Sequence, residues 1–184
     1  MPDDGSPEGR IVVGWHDYGF VAMNQEHIIV EGLKFRHADT GLNLQRSALF
    51  TVADVITEDN FACGINAFST SAGTIRKSMI SRSGRNGIKA FNAKNIKISG
   101  NTVVDTGVFP EGAPKKSIAA IESGPNTIIE DNIIKNSGYC GIVFPGQAPS
   151  SSDIPLSIVQ RNVIENSCLL LDDCGAIYTS TLSD

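Results

Sequence analysis

Aromatic residues make up only 7% of this 184-residue chain, against 41% hydrophobic residues overall. A core built from branched and small side chains is therefore the one available to it. No run of about 18 consecutive apolar residues occurs, which leaves no candidate transmembrane helix. The opening Met1–Arg10 has neither the cationic start nor the apolar stretch of a secretory signal. Cysteine is scarce: Cys63, Cys140, Cys168 and Cys174 form no CxxC pair and have no histidine at metal-ligand spacing, so no metal centre is expected and the redox compartment stays open. Net basic charge is missing too. At −5, the chain is not expected to take nucleic acid or an anionic membrane surface as a partner.

What the chain does contain is a repeat. Asn95-Ile96-Lys97-Ile98-Ser99-Gly100-Asn101-Thr102-Val103-Val104 reads as strand, tight turn, strand, and the pattern returns at Asn126–Ile134 and Leu156–Ile164. Aligned on the turn residue, weaker copies put Leu33, Val55 and Ser78 where later ones carry Asn101, Asn132 and Asn162, in steps of 22, 23, 23, 31 and 30 residues. A second element follows each turn: Gly41-Leu42-Asn43-Leu44, Gly64-Ile65-Asn66-Ala67, Gly87-Ile88-Lys89-Ala90, Gly141-Ile142-Val143-Phe144 and Gly175-Ala176-Ile177-Tyr178, with Ser117-Ile118-Ala119-Ala120 in the fourth coil. Three short strands per coil, alternating with period two and separated by Gly and Asn, are too short for helices. Stacked coils would pair along parallel sheets and set like residues in ladders. The expected internal ladders are Ile98–Ile129–Val159 and Val103–Ile134–Ile164. The expected turn ladder is Asn101–Asn132–Asn162, because Asn tolerates the left-handed conformation and its amide can bond along a stack.

Over residues 24–180 this motif resembles the repeat of the right-handed parallel β-helix superfamily, which holds pectate lyases, polygalacturonases, alginate lyases and epimerases, and phage tailspikes. The resemblance implies an all-β fold: a single-stranded, right-handed parallel β-helix of about six coils with three parallel sheets. It implies one domain over 1–184, with 1–23 as an N-terminal extension or incomplete first coil, 24–180 as coils and 181–184 as a tail. A polysaccharide or oligosaccharide partner and an extracellular or cell-surface location come with it, although many activities share the scaffold. No amphipathic capping helix is evident and the chain stops just after a strand. The expectation is a piece of a longer chain whose uncapped ends favour homo-oligomers.

In each Gly-Ile-x-h strand the Ile or Leu should face inward, so that the next residue faces solvent. This outward stripe reads Asn43, Asn66, Lys89, Ala119, Val143, Ile177. The same parity places Cys63, Asn86, Cys140 and Cys174 inside, with Cys140 and Cys174 as stacked neighbours that are buried thiols, a disulfide or a reactive site. One residue earlier, Asp39, Ala62, Arg85, Lys115, Tyr139 and Asp173 line the solvent edge of the strand. Lengthened turns at Gly107–Lys116 and Ser167–Cys174 would wall a groove for an extended polymer, and Pro145–Pro155 reads as a surface loop.

Asp172-Asp173-Cys174-Gly175 resembles the Asp-Asp-Cys segment of polygalacturonase-like glycoside hydrolases, which implies general-acid and water-activating roles for Asp172 and Asp173. The preceding coil offers Asn136-Ser137-Gly138-Tyr139-Cys140 and lacks the further Asp of that family. The lyase or epimerase alternative needs a base and cations that stabilise an enolate. Arg82, Arg85 and Lys89 lie close on one coil for that purpose, with Asn43, Asn66 and Tyr139 to hold the sugar. Each set has a plainer reading, as an Asp pair that caps a turn and as a solvated Arg82-Ser83-Gly84-Arg85 turn. His37, near Asp39, is the one histidine at the groove; His27 takes the slot that Asn95 fills later, a surface position. The functional expectation is a carbohydrate-active protein, hydrolysis ahead of β-elimination, against a non-catalytic polysaccharide-binding or adhesin-like module. No cofactor is expected for hydrolysis or binding, and Ca²⁺ only for a lyase.

Overall fold

A computed structural model describes residues 16–108, 119–146 and 157–181. The chain opens on β1 (His16–Met23), and the first full coil is β2 (Ile29–Glu31), β3 (Lys34–Arg36) and β4 (Ala38–Gln45). The next are β5 (Thr51–Ala53), β6 (Ile56–Glu58) and β7 (Cys63–Phe68), then β8 (Ser71–Arg76), β9 (Met79–Ser81) and β10 (Ile88–Ala90). The fourth coil is β11 (Lys94–Ser99), β12 (Thr102–Thr106) and β13 (Ala119–Ser123). The last two are β14 (Ile128–Glu130), β15 (Ile133–Ser137) and β16 (Cys140–Gly146), then β17 (Ile158–Gln160), β18 (Val163–Glu165) and β19 (Ile177–Thr181). Every third strand joins the same sheet. Sheet A has the seven strands β1-β4-β7-β10-β13-β16-β19, sheet B the six from β2 to β17, and sheet C the six from β3 to β18. All pairings are parallel, so the described chain is a solenoid of six coils preceded by β1.

The internal ladders fall where the repeat puts them. Ile98 pairs with Ile129 and Ile129 with Val159; Val103 pairs with Ile134 and Ile134 with Ile164. The core is aliphatic, with Leu42, Leu44, Ile65, Ile75, Ile80, Ile88 and Ile121 all fully enclosed. Phe50 is the fully buried aromatic among the described residues, and the absence of a side chain on Gly73 makes room for its ring.

The turn asparagines form a continuous amide stack. Asn132 Oδ1 accepts from Asn101 N at 2.9 Å and Asn101 Nδ2 at 3.0 Å, and Asn162 Oδ1 accepts from Asn132 N at 3.0 Å and Nδ2 at 2.9 Å. Ser78 continues the row downward, its N donating to Asn101 Oδ1 at 3.0 Å and its Oγ accepting from Val55 N at 3.3 Å. This corner and the one from sheet C to sheet A use single residues in the left-handed conformation, stacked coil over coil. Gly32, Asp54, Lys77, Gly100, Asp131 and Arg161 turn the chain from sheet B to sheet C; His37, Asp59, Arg82, Asp105, Asn136 and Asn166 turn it from C to A. Non-glycine residues there cost about 1–2 kcal/mol each, which ladder hydrogen bonds and ion pairs along each corner help to offset. His27 shares the left-handed slot of Asn95, as the repeat suggests, and is exposed.

Two registers differ from the sequence reading. In coil four, Ile121 is the partner of Ile88 and Ile142, so Ser117-Ile118-Ala119-Ala120 is displaced by three residues and Ala119 lies opposite Cys140, buried. The reason is a shorter corner: Ile88 to Ile98 spans ten residues, Ile121 to Ile129 only eight. In coil six, Ile177 pairs with Ile142 and Tyr178 with Val143, a shift of one. Trp15, Lys115 and most of the inserts at Gly107–Lys116 and Pro145–Pro155 lie outside the described residues, as do 182–184.

Candidate functional site

Sheet A enters each coil through a small residue. A Cβ on Gly64 would stand 2.5 Å from Ile80 Cγ2 and 2.6 Å from Thr57 Oγ1, so this position faces the interior just as the neighbouring Ile65 does. Two successive inward residues break the period-two alternation. The residues before the glycine are therefore not constrained to point inside. Asn86, expected inside, is buried and donates its amide to Glu122 Oε2 at 3.1 Å.

The row of sheet A in register with Asn43 reads Val21, Asn43, Asn66, Lys89, Glu122, Val143, Tyr178; Asn43 and Glu122 are buried, so the expected solvent-facing stripe is broken at these two and partly exposed at Asn66 and Lys89. Glu122 and Tyr178 thus replace the expected Ala119 and Ile177. Asn66 Nδ2 donates to Asn43 Oδ1 at 2.8 Å, extending the backbone ladder into the side chains. Asn43 Nδ2 and Asn66 Oδ1 have no hydrogen-bond partner among the described residues. Lys89 Nζ lies 3.8 Å from Glu122 Oε2 and 5.6 Å from the centroid of Phe91. Phe91 is stacked on Phe68, centroids 6.1 Å apart and planes at 14°, one step along the same face. Amides, an ammonium, a carboxyl and two rings therefore line up along sheet A over coils one to four.

Burial is the largest influence on Glu122 and raises its pKa, against the lowering effects of Lys89 and the Asn86 amide. Below, Cys63 is buried with its thiol pushed up to about 11, again chiefly by desolvation, with Lys89 acting in the other direction. A carboxyl raised in the folded state gives stability that is fully present below its unfolded pKa and lost as pH rises through its folded pKa. Glu122→Gln should remove that loss. Thermal melts of both proteins between pH 5 and 7 should show the wild type losing ground to the variant as pH rises, and parallel curves would contradict the burial effect.

The remaining sequence-derived candidates lie apart from this cluster. Arg82 stands at the corner from sheet C to sheet A, turned to Asp59 with contacts of 2.6 and 2.9 Å, and Glu58 lies 3.7 Å away. Asp59 holds Arg82 charged and Arg82 holds Asp59 below the usual carboxylate range, while Glu58 is held down chiefly by Lys34, with Arg36 and Arg82 adding to the effect. Arg85 is half-buried on the sheet A edge, its N donating to Ala62 O at 2.8 Å. His37 donates its N to Asp59 O at 3.2 Å. Asp172 and Asp173 are exposed on a loop closed by a Cys168–Cys174 disulfide. That bond corrects the expected stacking of Cys174 on Cys140: with the register shifted by one, Gly175 stands beside Cys140, which is a buried free thiol like Cys63. The loop is docked by Cys168 N to Tyr139 O at 2.7 Å and Leu170 N to Gly138 O at 2.9 Å. Tyr139 is half-buried with its ring 6.3 Å from Tyr178, and its phenol is pushed up to about 12 by burial, with Cys140 and Asp173 adding to the shift.

Glu122, Phe68, Phe91 and Tyr178 are the outer-face residues that sequence reasoning missed. The usable signal was Ala120, a small residue directly before an inward Ile, equivalent to Gly64 and Gly87. Among the described residues no group of three His, Cys, Asp or Glu side chains converges on a metal position. Nor is any helix there long and apolar enough to cross a membrane.

No curated protein and no solved structure matches the chain. The family model described as the right handed beta helix region matches residues 8–152. Three parallel sheets, one strand each per coil, agree with that match, and the chain belongs to the right-handed β-helix family.

Proposed function

We propose that the outer face of sheet A binds an extended polysaccharide and that the protein is carbohydrate-active through it. The observation that carries this reading is the partly exposed pair Asn66 and Lys89, backed by the buried Asn43 and Glu122 on either side, with the stacked Phe68 and Phe91 beside it. Sugar rings present apolar faces that suit aromatic stacking and hydroxyls that suit amides. Strands about 4.8 Å apart repeat these groups along the axis, as a polymer repeats its units. Of the two chemistries, hydrolysis has the better-placed group. Glu122, whose burial favours the protonated form, is a candidate proton donor, with Asp172 and Asp173 at the far end of the sheet as the other carboxylates. For β-elimination Lys89 would have to act as base while engaged by Glu122 and Phe91. The Cys168–Cys174 disulfide supports an oxidising, extracellular or cell-surface location.

A panel of neutral and acidic polysaccharides tests this reading by affinity electrophoresis, by reducing ends and by the absorbance of unsaturated uronate. Retarded migration is expected, and Phe91→Ala should weaken it by about tenfold, the loss of one stacking platform of roughly 1–1.5 kcal/mol. New reducing ends without unsaturated product would establish hydrolysis. Binding with neither product would leave a binding module, and no retardation by any polysaccharide would sink the proposal.

A further inference from the structure

We propose that two copies of this chain pair sheet C against sheet C with their solenoid axes antiparallel. Each strand of sheet C sets two residues on its outer side, which gives two parallel stripes, exposed or partly exposed except at Ser81, which is buried. The first reads Lys34, Ile56, Met79, Thr102, Ile133, Val163. The second reads Arg36, Glu58, Ser81, Val104, Lys135, Glu165. Met79, Ile133 and Val163 are 46%, 42% and 48% exposed, an apolar stripe facing solvent where polar residues are the norm for a one-sided sheet.

The charges select the partner. A twofold axis along the strand direction reverses the order of each stripe, so that a residue of coil one faces coil six, coil two faces coil five, and coil three faces coil four. Arg36 then faces Glu165 of the second copy, Glu58 faces Lys135, and Ser81 faces Val104. In the apolar stripe Ile56 faces Ile133 and Met79 faces Thr102. A twofold axis along the solenoid would keep the axes parallel and exchange the stripes, setting Lys34 against Arg36 and the charges of Glu58, Lys135 and Glu165 against Ile56, Ile133 and Val163. Within one copy Arg36 lies 2.6 Å from Glu58 and Lys135 2.9 Å from Glu165, so antiparallel pairing merges two ion pairs into one four-charge group at each end. In the flanking corner Asp54 would approach Asp131, whose charge Arg161 already meets with two contacts, at 2.7 and 2.8 Å. Sheet B carries no such pattern: reversal of Glu31, Ala53, Arg76, Ser99, Glu130, Gln160 brings no opposite charges together.

The area sets the strength. Six strands of three residues cover roughly 24 by 10 Å, below the ~800 Å² per partner of a standard stable interface. The dimer is therefore weak and concentration-dependent, and it leaves both sheet A faces open. Sedimentation velocity from roughly 10 µM to 1 mM should show a monomer–dimer equilibrium with a dissociation constant on the order of 10⁻⁴ M. Ile56→Glu and Ile133→Lys should each weaken it by about tenfold or more, and the double variant should recover to within a few-fold, because each new charge faces the other across the interface. Met79→Lys with Thr102→Glu repeats the cycle at a second facing pair should Ile56→Glu not fold. A monomer throughout the range overturns the proposal. So does association that ignores the single variants, as end-to-end stacking would, or a double variant that stays as weak as the singles.

Discussion

Asn132→Ala is expected to lower the stability of this protein by about 3–5 kcal/mol, because one buried amide holds three consecutive coils. Asn132 is fully enclosed. Its Oδ1 accepts from the backbone and side chain of Asn101, and its Nδ2 donates to Ile98 O at 3.1 Å, Glu130 O at 3.0 Å and Asn162 Oδ1 at 2.9 Å. Truncation leaves the Asn101 N–H and the Ile98 carbonyl buried near a methyl group, while the Asn101 amide keeps only its bond to Ile75 O at 3.0 Å. A buried polar group that loses its partner forfeits its full desolvation cost, not merely the net value of one hydrogen bond. The loss should appear in urea titration as a lower midpoint with an unchanged slope, since the exposed surface on unfolding is the same. A loss under about 1 kcal/mol would mean that the amide stack is ornamental to folding.

Gly64→Val should cost about 3 kcal/mol or more, at the upper end of overpacking or beyond it. Two of the three atoms nearest to a Cβ at this position belong to rigid or tightly held groups, Ile80 Cγ2 and the Gly87 carbonyl at 2.8 Å. Neither can retreat, since Ile80 is packed in the core and Gly87 O belongs to the sheet ladder, accepting from Ile65 N at 2.9 Å. Coil four tolerates Ala120 at the equivalent position, so the first methyl can be accommodated where the surroundings are built for it, and the branching is what fails. Soluble yield and melting temperature report the outcome; a Val variant that melts within about 2 °C of wild type would refute an inward-facing Gly64.

The Asn ladder was legible in the sequence because one residue type meets two demands at once, a tight turn and an amide that bonds along the stack. Its neighbours Ile98, Ile129 and Val159 follow at fixed offsets from that turn. Sheet A was less legible since both inserts fall beside it, so counting from the turn loses the register there. Coil four has a longer lead-in to sheet A and a shorter exit from it, and the two changes partly cancel in the coil length. Ile118 therefore looked like the partner of Ile88, and Glu122 stayed hidden. Coil six slipped by a single residue, enough to exchange Ile177 for Tyr178 on the outer face. Cys174 was legible as partly enclosed but not as bonded to Cys168, because the position of Cys168 holds Gly107 and Gly138 in the two preceding coils and so carries no repeat of the cysteine.

Coils of 22 and 23 residues and coils of 31 and 30 residues stack in the same ladders without a bulge in sheets B or C. Length and register are thus uncoupled on this scaffold, much as a printed circuit accepts different components between the same two pins. A segment replaced between Val108 and Ala119, or between Gly146 and Ser157, has only to begin and end at those anchors. The segments that flank the sheet A strands in sequence can then diversify by exchange of whole stretches while the asparagine row and the aliphatic interior are inherited unchanged.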